Sequence, residues 1–512
     1  MANRGTTAMI DVLMLSMPRI APVRPQAALG ILKAICNKAN KSSKTFDINA
    51  DFFLNFAVDN RVDAKAVDDH FISNSVVLTS DENEKYHSWL HQWVDKILAA
   101  NSSILVVSVF SWQSQVSVRD LLTKLRPKYN GTIVVGGQGL TNSQNLSAHW
   151  ADRAEYAEEL YQKKLIDFWI KGEAEETFYK FLIGNREFTG LNSHSVVMLG
   201  DANNIPLSDF SDFNLGSYRS GYEADGGVLP IESCRGCVRS CVFCEMSSEH
   251  GGLRRRDGNA LAKELIHYYE TYGVKHYYFH DDLMNANIPD FKNFINAILA
   301  YYEKNNLPDK FFSLSGYWII RNPRQFGAKD FELFAKAGGN LLVTGIETGS
   351  DRLRKTLRKG FTNKDLDFNL EQMHKNKIKF YFMLIAGLPG ETTDDFQETV
   401  DSLSHWQKYV ATGTIIGVNL GTTATLEPGT EIYNNAKNFN IVPLKGQEHP
   451  HGIYWMCTTT PDLNYKERVR RRVALQEHVL ELGYPIWKGD DHLKIIIDKY
   501  KQNIEVWNAS TN

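Results

Sequence analysis

One loop of the sequence carries four of the chain's six cysteines, and it constrains the protein more strongly than any other segment. Three of these cysteines, Cys237, Cys241 and Cys244, have the spacing C-x3-C-x2-C. Three thiolates in one loop can bind an iron–sulfur cube and leave its fourth iron without a protein ligand. Because an open iron can bind a substrate or a cofactor, the spacing predicts a centre for chemistry as well as for electron storage.

Two other interpretations of this loop stay open. With Cys234 included, the run becomes C-x2-C-x3-C-x2-C, four thiolates that could bind a structural zinc ion. Zinc sites usually separate two C-x2-C pairs by roughly a dozen residues or more, whereas these pairs are nearly contiguous and would be strained around one ion. A ferredoxin-like electron carrier would need only a small part of a 512-residue chain. The spacing therefore favours the three-cysteine iron–sulfur centre.

Composition excludes several other classes of protein. A chain of 512 residues with 43% hydrophobic and 23% charged residues is typical of a globular protein of two or three domains. No apolar stretch approaches the roughly 20 residues that cross a bilayer, and the N-terminus lacks the layout of a signal peptide. Cysteines gathered in one loop favour metal binding in a reducing compartment, so we expect a cytoplasmic protein. The net charge of −3 makes nucleic acid an unlikely partner.

The first 205 residues alternate between predicted strands and helices, which is typical of a parallel α/β sheet. The predicted strands are 10–15, 45–48, 104–110, 132–135 and 166–170, with helices at 26–38 and 116–125. Residues 142–164 are predicted to be a helical insertion. Ligands of parallel sheets bind at the C-terminal ends of the strands. Glycines at those ends would let the backbone approach a bulky cofactor.

A second α/β series follows, from about residue 229 to residue 440. Its predicted strands are 229–233, 276–280, 312–317, 341–346, 379–385 and 414–420. Its predicted helices are 260–272, 290–302, 328–337, 363–375 and 394–406. Six β/α units predict a partial barrel that is open where an eight-unit barrel closes.

The C-terminal residues 441–512 form a small extension with a predicted helix at 465–482. Three consecutive arginines at 470–472 are interpreted as the solvated face of this helix. Cys457 is a possible residue on the substrate side of a site, although a lone cysteine is more often a small buried hydrophobic residue. We expect Cys36, on the apolar face of its helix, to be buried in this way.

The cysteine loop closely resembles that of the radical S-adenosylmethionine (SAM) enzymes. Arg235 and Gly236 precede the first cysteine of the motif, and Phe243 precedes the last. The resemblance implies that three cysteines bind a [4Fe-4S] cluster whose free iron chelates SAM. It further implies reductive cleavage of SAM to a 5′-deoxyadenosyl radical, which removes a hydrogen atom from a substrate. The family usually has a small polar residue at position 234, so Cys234 is interpreted as a neighbour of the cluster.

Four further segments resemble radical SAM motifs and follow in the family's order. They are 345–350 (Gly-Ile-Glu-Thr-Gly-Ser), 359–362 (Lys-Gly-Phe-Thr), 387–392 (Gly-Leu-Pro-Gly-Glu-Thr) and 428–430 (Pro-Gly-Thr). The second barrel strand departs from the family's usual Gly-Gly-Glu and ends in His-Asp-Asp-Leu-Met-Asn instead. The SAM-binding residues that the resemblance implies are Phe243, Asp281, Asp282, Arg321, Glu347, Ile385 and Gly387.

The N-terminal segment resembles the Rossmann-like cobalamin-binding domain that precedes many radical SAM barrels. The resemblance implies a cobalamin-binding domain at 1–205, a linker at 206–228, a barrel at 229–440 and an extension at 441–512. The chain lacks the Asp-x-His-x-x-Gly segment that supplies a histidine ligand to cobalt in the mutases, so bound cobalamin would lack that ligand. The implied cobalamin-binding residues are Ser108, Ser111, Gly136, Gly137, Gly172 and Glu173.

The combined resemblance implies a cobalamin-dependent radical SAM methyltransferase that acts on an unactivated carbon. Two alternatives stay open: a radical SAM cyclase or rearrangement enzyme with cobalamin absent or in another role, and a non-catalytic iron–sulfur redox sensor. A methylthiotransferase is disfavoured because the chain has no second set of three cysteines. The expected partners are a small-molecule or peptide substrate and a flavodoxin- or ferredoxin-type reductant. No general base is predicted, because the cofactors carry the difficult chemistry.

Overall fold

The computed structural model describes residues 9–18, 23–56, 79–140, 155–218, 227–246, 252–280 and 283–486, together with residues 498, 503, 506 and 508. The chain forms two compact units, residues 1–230 and 231–512. The boundary lies next to residue 229, where the sequence predicts the start of the barrel. The finer division into linker and C-terminal extension stays a prediction.

The first unit contains a five-stranded parallel sheet with the order β2-β1-β3-β4-β5. Its strands are β1 (Ile10–Ser16), β2 (Ser43–Asp47), β3 (Ser102–Ser108), β4 (Thr132–Gly136) and β5 (Phe168–Ile170). Its helices are α1 (Ala27–Lys38), α2 (Ile48–Asp51), α3 (Ser80–Ala99), α4 (Gln115–Leu125), α5 (Tyr156–Gln162) and α6 (Ala174–Leu182). The predicted α/β fold is confirmed. The predicted insertion lies partly outside the described residues, and α5 is the part that is described.

Apolar side chains cover both faces of this sheet, as expected for buried parallel strands. In β1, Leu13 and Leu15 belong to the core on one face, whereas Val12 and Met14 belong to the core on the other. Helix α3, which the sequence analysis missed, contributes Trp89 and Trp93 to the first of these cores. A capping box at its start, formed by Thr79 and Glu82, was the signal that could have revealed it.

Part of the segment predicted as a linker packs within the first unit. The carboxylate of Asp212 pairs with the ammonium of Lys33 and accepts a hydrogen bond from the backbone N–H of Thr45 at 2.8 Å. The hydroxyl of Tyr218 donates to the carboxylate of Asp47 at the end of β2. These contacts anchor residues 206–218 beside α1 and β2.

The second unit is built on a six-stranded sheet with the order β13-β12-β11-β10-β9-β6. Its strands are β6 (Val228–Ile231), β9 (His276–Phe279), β10 (Ser313–Tyr317), β11 (Gly339–Glu347), β12 (Lys379–Leu384) and β13 (Ile415–Asn419). Neighbouring strands from β9 to β13 are parallel. Because β6 and β13 lie at opposite edges, the sheet has the open, sequential order of the predicted partial (β/α)6 barrel.

Helices alternate with these strands as predicted. They are α7 (Gly258–Tyr272), α8 (Ile288–Asn305), α9 (Ala328–Ala337), α10 (Asp351–Thr356), α11 (Asn363–Asn376), α12 (Thr393–Ala411) and α13 (Glu431–Asn434). Short antiparallel pairs are formed by β7 (Cys234–Arg235) with β8 (Arg254–Arg255), and by β14 (Ile441–Pro443) with β15 (Trp455–Cys457). Helix α14 (Tyr465–Glu481) follows. No described helix is long and apolar enough to cross a membrane.

The interpretation of residues 470–472 as a solvated helix face is wrong for two of the three arginines. Arg470 is exposed, but Arg471 and Arg472 are only 4% and 3% exposed. Their guanidinium groups reach the segments that follow β12 and β13, where the carbonyl groups of Thr392 and Gly421 accept their hydrogen bonds. A run of three identical charges contains no helical periodicity, so the sequence did not reveal which of them faces the protein.

Candidate active site

The cysteine loop and the C-terminal ends of the central barrel strands enclose a cavity of about 240 Å³. Cys237, Cys241 and Cys244 all line it, as do Phe243 and Glu347. The remaining lining residues come from the same loop, from the strand ends and from the segment after α10. They are Arg239, Met246, Leu283, Tyr317, Trp318, Ile319, Ile320, Val343, Thr344, Gly345, Lys359, Phe361 and Met383.

The three cavity cysteines form a partly exposed set of thiols in one irregular loop. The backbone N–H of Arg239 donates to Cys237 Sγ at 3.3 Å, and Cys241 Sγ lies 3.8 Å from the carbonyl oxygen of Arg358. Burial raises the pKa of the Cys241 thiol, although Lys359 acts in the opposite direction. Soft thiolate donors on one wall of a cavity are suited to an iron–sulfur cluster.

Cys234 differs from these three cysteines in its environment. It is buried, it is not among the lining residues, and its Sγ lies 3.5 Å from the carbonyl oxygen of Leu283. Among the described residues, no three His, Cys, Asp or Glu side chains are close enough together to hold a single metal ion. The role of Cys234 as a neighbour of the cluster stays a prediction.

Glu347 reaches the cavity from an irregular end of β11. The pairing of β11 with β12 shifts register between Gly345 and Glu347, and Glu347 itself has a φ of +63°. A left-handed backbone at a residue other than glycine costs about 1–3 kcal/mol and persists only where its surroundings hold it. Here the backbone N–H of Ile385 donates to the Glu347 carbonyl at 2.9 Å. This hydrogen bond ties the strained backbone of a cavity carboxylate to the residue that follows β12.

Lys359 is the cationic partner of Glu347, and the sequence analysis did not name it as a site residue. Its Nζ donates to Glu347 Oε1 at 3.0 Å and lies 5.7 Å from the centre of the Phe243 ring. Burial acts to lower the pKa of Lys359, but the nearby Glu347 and Cys241 raise it overall. The match of residues 359–362 to a family motif was the signal for this residue. Lys359 thus keeps a positive charge between the carboxylate and the cysteine loop.

The other predicted SAM-binding residues differ in their positions. Ile385 and Gly387 follow β12, next to the cavity wall but not among its lining residues. Arg321 is buried beside the barrel, where its Nη2 donates to the carbonyl groups of Asn285 at 3.0 Å and Ala286 at 2.7 Å. Burial, with a contribution from Arg239, lowers the pKa of Arg321 to about 10. The remaining two, Asp281 and Asp282, lie outside the described residues.

One carboxylate connects two of the predicted motifs. Asp395, at the start of α12, accepts hydrogen bonds from Ser350 Oγ at 2.6 Å, from the backbone N–H of Thr392 at 2.8 Å and from the Arg352 guanidinium. Ser350 ends the segment after β11, and Thr392 ends the turn after β12. Asp395 thereby holds both segments in place behind the cavity. Burial opposes its charge, but these donors lower the pKa of the Asp395 carboxyl well below its usual range.

The depressed pKa of Asp395 predicts a pH-dependent contribution to stability. The pKa of Asp395 is lower in the folded protein than its unfolded value of about 4. The charged carboxylate therefore stabilises the fold above about pH 4, and this stabilisation is lost as the pH falls from about 4 through the folded-state pKa. We expect Asp395→Asn to lower the free energy of unfolding by about 1–3 kcal/mol at pH 7 and to flatten its decline between pH 5 and pH 3. Urea unfolding followed by circular dichroism at several pH values measures both effects. The exposed neighbour Asp394 provides the control, Asp394→Asn, and equal behaviour of the two variants would contradict the assignment.

In the first unit, the predicted cobalamin-binding residues lie at the C-terminal edge of three neighbouring strands. Ser108 ends β3 and Gly136 ends β4, whereas Ser111, Gly137, Gly172 and Glu173 follow β3, β4 and β5. The parallel topology therefore brings the six residues to one edge of the sheet. Their role in binding cobalamin stays a prediction.

Part of this edge is explained by the packing of the chain on itself. Gly172 has a φ of +92°, and an added Cβ would overlap the backbone of Val197. The Glu173 backbone N–H donates to the Val197 carbonyl at 2.7 Å, and the Glu173 carboxylate accepts from the backbone N–H of Leu199. Gly172 and Glu173 thus fasten residues 197–199 to the end of β5.

Other groups at this edge fit a large ligand with apolar faces and amide side chains. Ser111 Oγ is buried and has no hydrogen-bond partner among the described residues. On either side of it, Phe110 and Trp112 are 49% and 45% exposed. A buried hydroxyl without a partner costs free energy, which a ligand amide would recover. Exposed aromatic rings would gain from covering a macrocycle.

Two of the edge glycines, Gly136 and Gly172, allow a matched test of this packing. We expect Gly172→Ala to destabilise the first unit by about 1–3 kcal/mol, because alanine is strained at that φ and clashes with residue 197. Gly136→Ala should change stability little, since its added Cβ would come no closer than 3.5 Å to the Ile170 carbonyl oxygen. Thermal unfolding of the two variants measures the difference. An equal loss of stability in both variants would contradict the close packing of Gly172 against the backbone of Val197.

Comparison with known proteins gives a superfamily match within the second unit and partial matches to methyltransferases. The sequence model of the Radical SAM superfamily matches residues 231–403. An uncharacterized methyltransferase of Pyrococcus horikoshii is 26% identical over 54% of this chain and 59% of its own length. The cytidylyl-2-hydroxyethylphosphonate methyltransferase of Streptomyces wedmorensis is 23% identical over 42% of this chain and 41% of its own length. The chain thus aligns with about half the length of these relatives.

Solved structures resemble the described fold over more of the chain. The radical SAM methyltransferase TsrM from Kitasatospora setae, solved with cobalamin and a [4Fe-4S] cluster, has a TM-score of 0.56 and 16% identity. That match covers 86% of this chain and 81% of TsrM. The cobalamin-dependent radical SAM enzyme OxsB has a TM-score of 0.62 and 13% identity, covering 90% of this chain and 66% of OxsB. Residues 231–403 therefore match the Radical SAM superfamily model, and the described fold resembles that of TsrM and OxsB, as the sequence resemblance predicts.

Proposed function

We propose that this chain is a cobalamin-dependent radical SAM methyltransferase that acts on an unactivated carbon. The observation that carries the proposal is the cavity of the radical SAM domain, where Cys237, Cys241 and Cys244 share one lining with the Glu347–Lys359 pair. A [4Fe-4S] cluster, SAM and cobalamin are the cofactors of this proposal. A small molecule or peptide is the proposed substrate, and a flavodoxin- or ferredoxin-type protein is the proposed reductant.

The three cysteines would hold the cluster through their thiolates. When bound, the cluster supplies the electron that cleaves SAM, and cobalamin supplies the methyl group. The protein's own contribution is to bind these groups, orient them and exclude water. Because buried charges require partners, Lys359 compensates the buried carboxylate of Glu347 inside the cavity. That carboxylate can then accept hydrogen bonds from the ammonium or hydroxyl groups of SAM.

Other residues that line the cavity contribute by excluding water. Residues 317–320, a Tyr-Trp-Ile-Ile run that begins at the end of β10, line the cavity. Trp318 is held in place because its backbone N–H donates to the Val343 carbonyl at 2.7 Å and its side chain is buried. A rigid apolar wall limits side reactions of a reactive species with water. In the first unit, Phe110, Ser111 and Trp112 provide the proposed contacts to cobalamin.

Metal content is the first test of the proposal. The protein would be produced anaerobically with hydroxocobalamin, and its iron, sulfide and cobalt would be measured. We expect about four irons per chain and about one cobalt. Incubation with SAM and dithionite should then give 5′-deoxyadenosine and S-adenosylhomocysteine. Iron without cobalt would overturn the cobalamin part of the proposal, and zinc without iron would overturn the proposal as a whole.

The cysteines allow the metal site itself to be tested. We expect Cys237→Ala, Cys241→Ala and Cys244→Ala each to lose most of the bound iron, because each removes one of three thiolate ligands. Cys234→Ala and Cys457→Ala remove thiols that do not line the cavity and should keep the iron content of the unchanged protein. Iron and sulfide analysis with electron paramagnetic resonance would distinguish these results. A loss of iron in Cys234→Ala would favour a four-cysteine site.

Glu347 is tested by its effect on SAM affinity. We expect Glu347→Gln to weaken SAM binding by about tenfold to a hundredfold, since it removes a buried charged acceptor and leaves Lys359 unpaired. Equilibrium dialysis with the reconstituted protein measures this, with iron content as a check on folding. The control is Glu371→Gln, which removes an exposed carboxylate that pairs with Lys375. An unchanged affinity in Glu347→Gln would contradict the proposed role.

A further inference from the structure

Helix α14 buries three arginine side chains at the C-terminal edge of the barrel. Arg468, Arg471 and Arg472 are 0%, 4% and 3% exposed, whereas Arg470 on the same helix lies at the surface. Arginine is rarely buried unless its charge is paired, because removing a guanidinium from water is costly. The partners of these side chains therefore indicate what the helix holds in place.

Arg471 binds the turn that follows β12. Its Nη1 donates to Glu391 Oε2 at 3.0 Å and to the Thr392 carbonyl at 2.9 Å. The same Glu391 oxygen accepts the backbone N–H of Gly387 at 3.0 Å. The buried Oε2 of Glu391 thereby joins Gly387, the first residue of the turn, to Arg471, which lies 80 positions after Glu391.

Arg468 supports the same turn through packing. An added Cβ on Gly387, whose φ is +73°, would overlap the aliphatic carbons of the Arg468 side chain. The Arg468 guanidinium lies 3.9 Å from the centre of the Trp455 ring and donates to the Ile453 carbonyl at 2.9 Å. The arginine stem therefore lies against the backbone of Gly387, while its charged end is anchored in the C-terminal part of the chain.

The turn is directly connected to the cavity. It continues from β12, whose Met383 lines the cavity, and the backbone N–H of Ile385 donates to the carbonyl of Glu347. A displacement of residues 387–391 would thus be transmitted to Ile385 and to the strained backbone of Glu347. Ile385 and Gly387 are also among the SAM-binding residues that the family resemblance implies.

We infer that Arg471 and Arg468 are positioning residues for the SAM site. Through them, helix α14 holds the 387–391 turn in the conformation that binds SAM. SAM binding and the packing of α14 against the turn therefore stabilise each other. This inference rests on the proposed function, which assigns SAM to the cavity. Coupling of this kind is reciprocal, since a change that loosens α14 weakens SAM binding and bound SAM makes α14 harder to open.

The first experiment uses the full, reconstituted chain. Hydrogen–deuterium exchange is measured with and without SAM for peptides that cover α14, the 387–391 turn and, as a control, α9. Helix α9 packs against α8, α11 and β11. We expect SAM to slow exchange at least threefold in α14 and in the turn, with little change in α9. Slower exchange in the turn alone, with α14 unchanged, would overturn the coupling.

Variants on α14 provide the second test. We expect Arg471→Met to weaken SAM binding at least tenfold with its iron content retained, and Arg471→Lys to restore part of the affinity. The control is Arg470→Met, an exposed arginine that pairs with Glu467, and it should stay within twofold of the unchanged protein. If Arg471→Met lowers the unfolding temperature but keeps its SAM affinity, the residue is only structural and the inference is wrong.

The results of these experiments distinguish a failure of this inference from a failure of the proposed function. An unchanged protein that binds iron but not SAM would overturn the proposed function and the coupling with it. If Arg471→Met does not fold, Glu391→Gln decides the matter. It keeps the shape of the side chain but replaces the carboxylate whose Oε2 accepts from both Arg471 and Gly387. Weaker SAM binding supports the coupling, and unchanged affinity overturns it. The exchange measurement on the unchanged protein stands independently of both variants.

Discussion

The arrangement of the candidate site depends on the irregular end of β11, where Glu347 takes up a left-handed backbone conformation. A regular strand would point successive side chains to opposite faces of the sheet. Gly345 and Glu347 are two positions apart and both line the cavity, where the absence of a side chain at Gly345 leaves room for the Glu347 carboxylate beside Lys359. This conformation is costly, and the Ile385 N–H, which donates to the Glu347 carbonyl, helps to maintain it. The shape of the site and the path of β12 are therefore linked.

Away from the cavity, two buried carboxylates hold in place the segments that follow β11 and β12. Asp395 ties the segment after β11 to the turn after β12, and Glu391 ties the same turn to α14. Each carboxylate accepts a backbone N–H group and an arginine together. These donors lower the pKa of Asp395, whereas burial raises the pKa of Glu391 to about 7. Such a network favours one arrangement of the loops, because a displaced loop would leave a buried charge without its partners. Buried polar contacts therefore hold the loops at the end of the barrel in place, above a core that is apolar.

The first unit uses its glycines differently from what the sequence suggested. Gly137 and Gly172 are both required by close approach of the chain's own backbone, at Val109 and Val197 respectively. Their spacing resembles a cofactor-binding pattern, yet local packing accounts for them without a ligand. The features of this edge that favour a ligand are the buried hydroxyl of Ser111 and the exposed rings beside it. These were visible only once the strand ends had been placed next to one another.

The sequence by itself determined the cysteine spacing, the order of the two α/β units and the motifs that follow the barrel strands. These properties are local: a ligand loop, a strand or a capped helix is encoded in a few neighbouring residues, so pattern and resemblance suffice to find them. Helix α3 was missed although its capping box was present. The tertiary structure alone decided that Lys359 pairs with Glu347, and that Arg468, Arg471 and Arg472 are buried while Arg470 is exposed. Such contacts join residues 12 to 80 positions apart, and the side that a charged residue faces depends on what the rest of the chain packs against it.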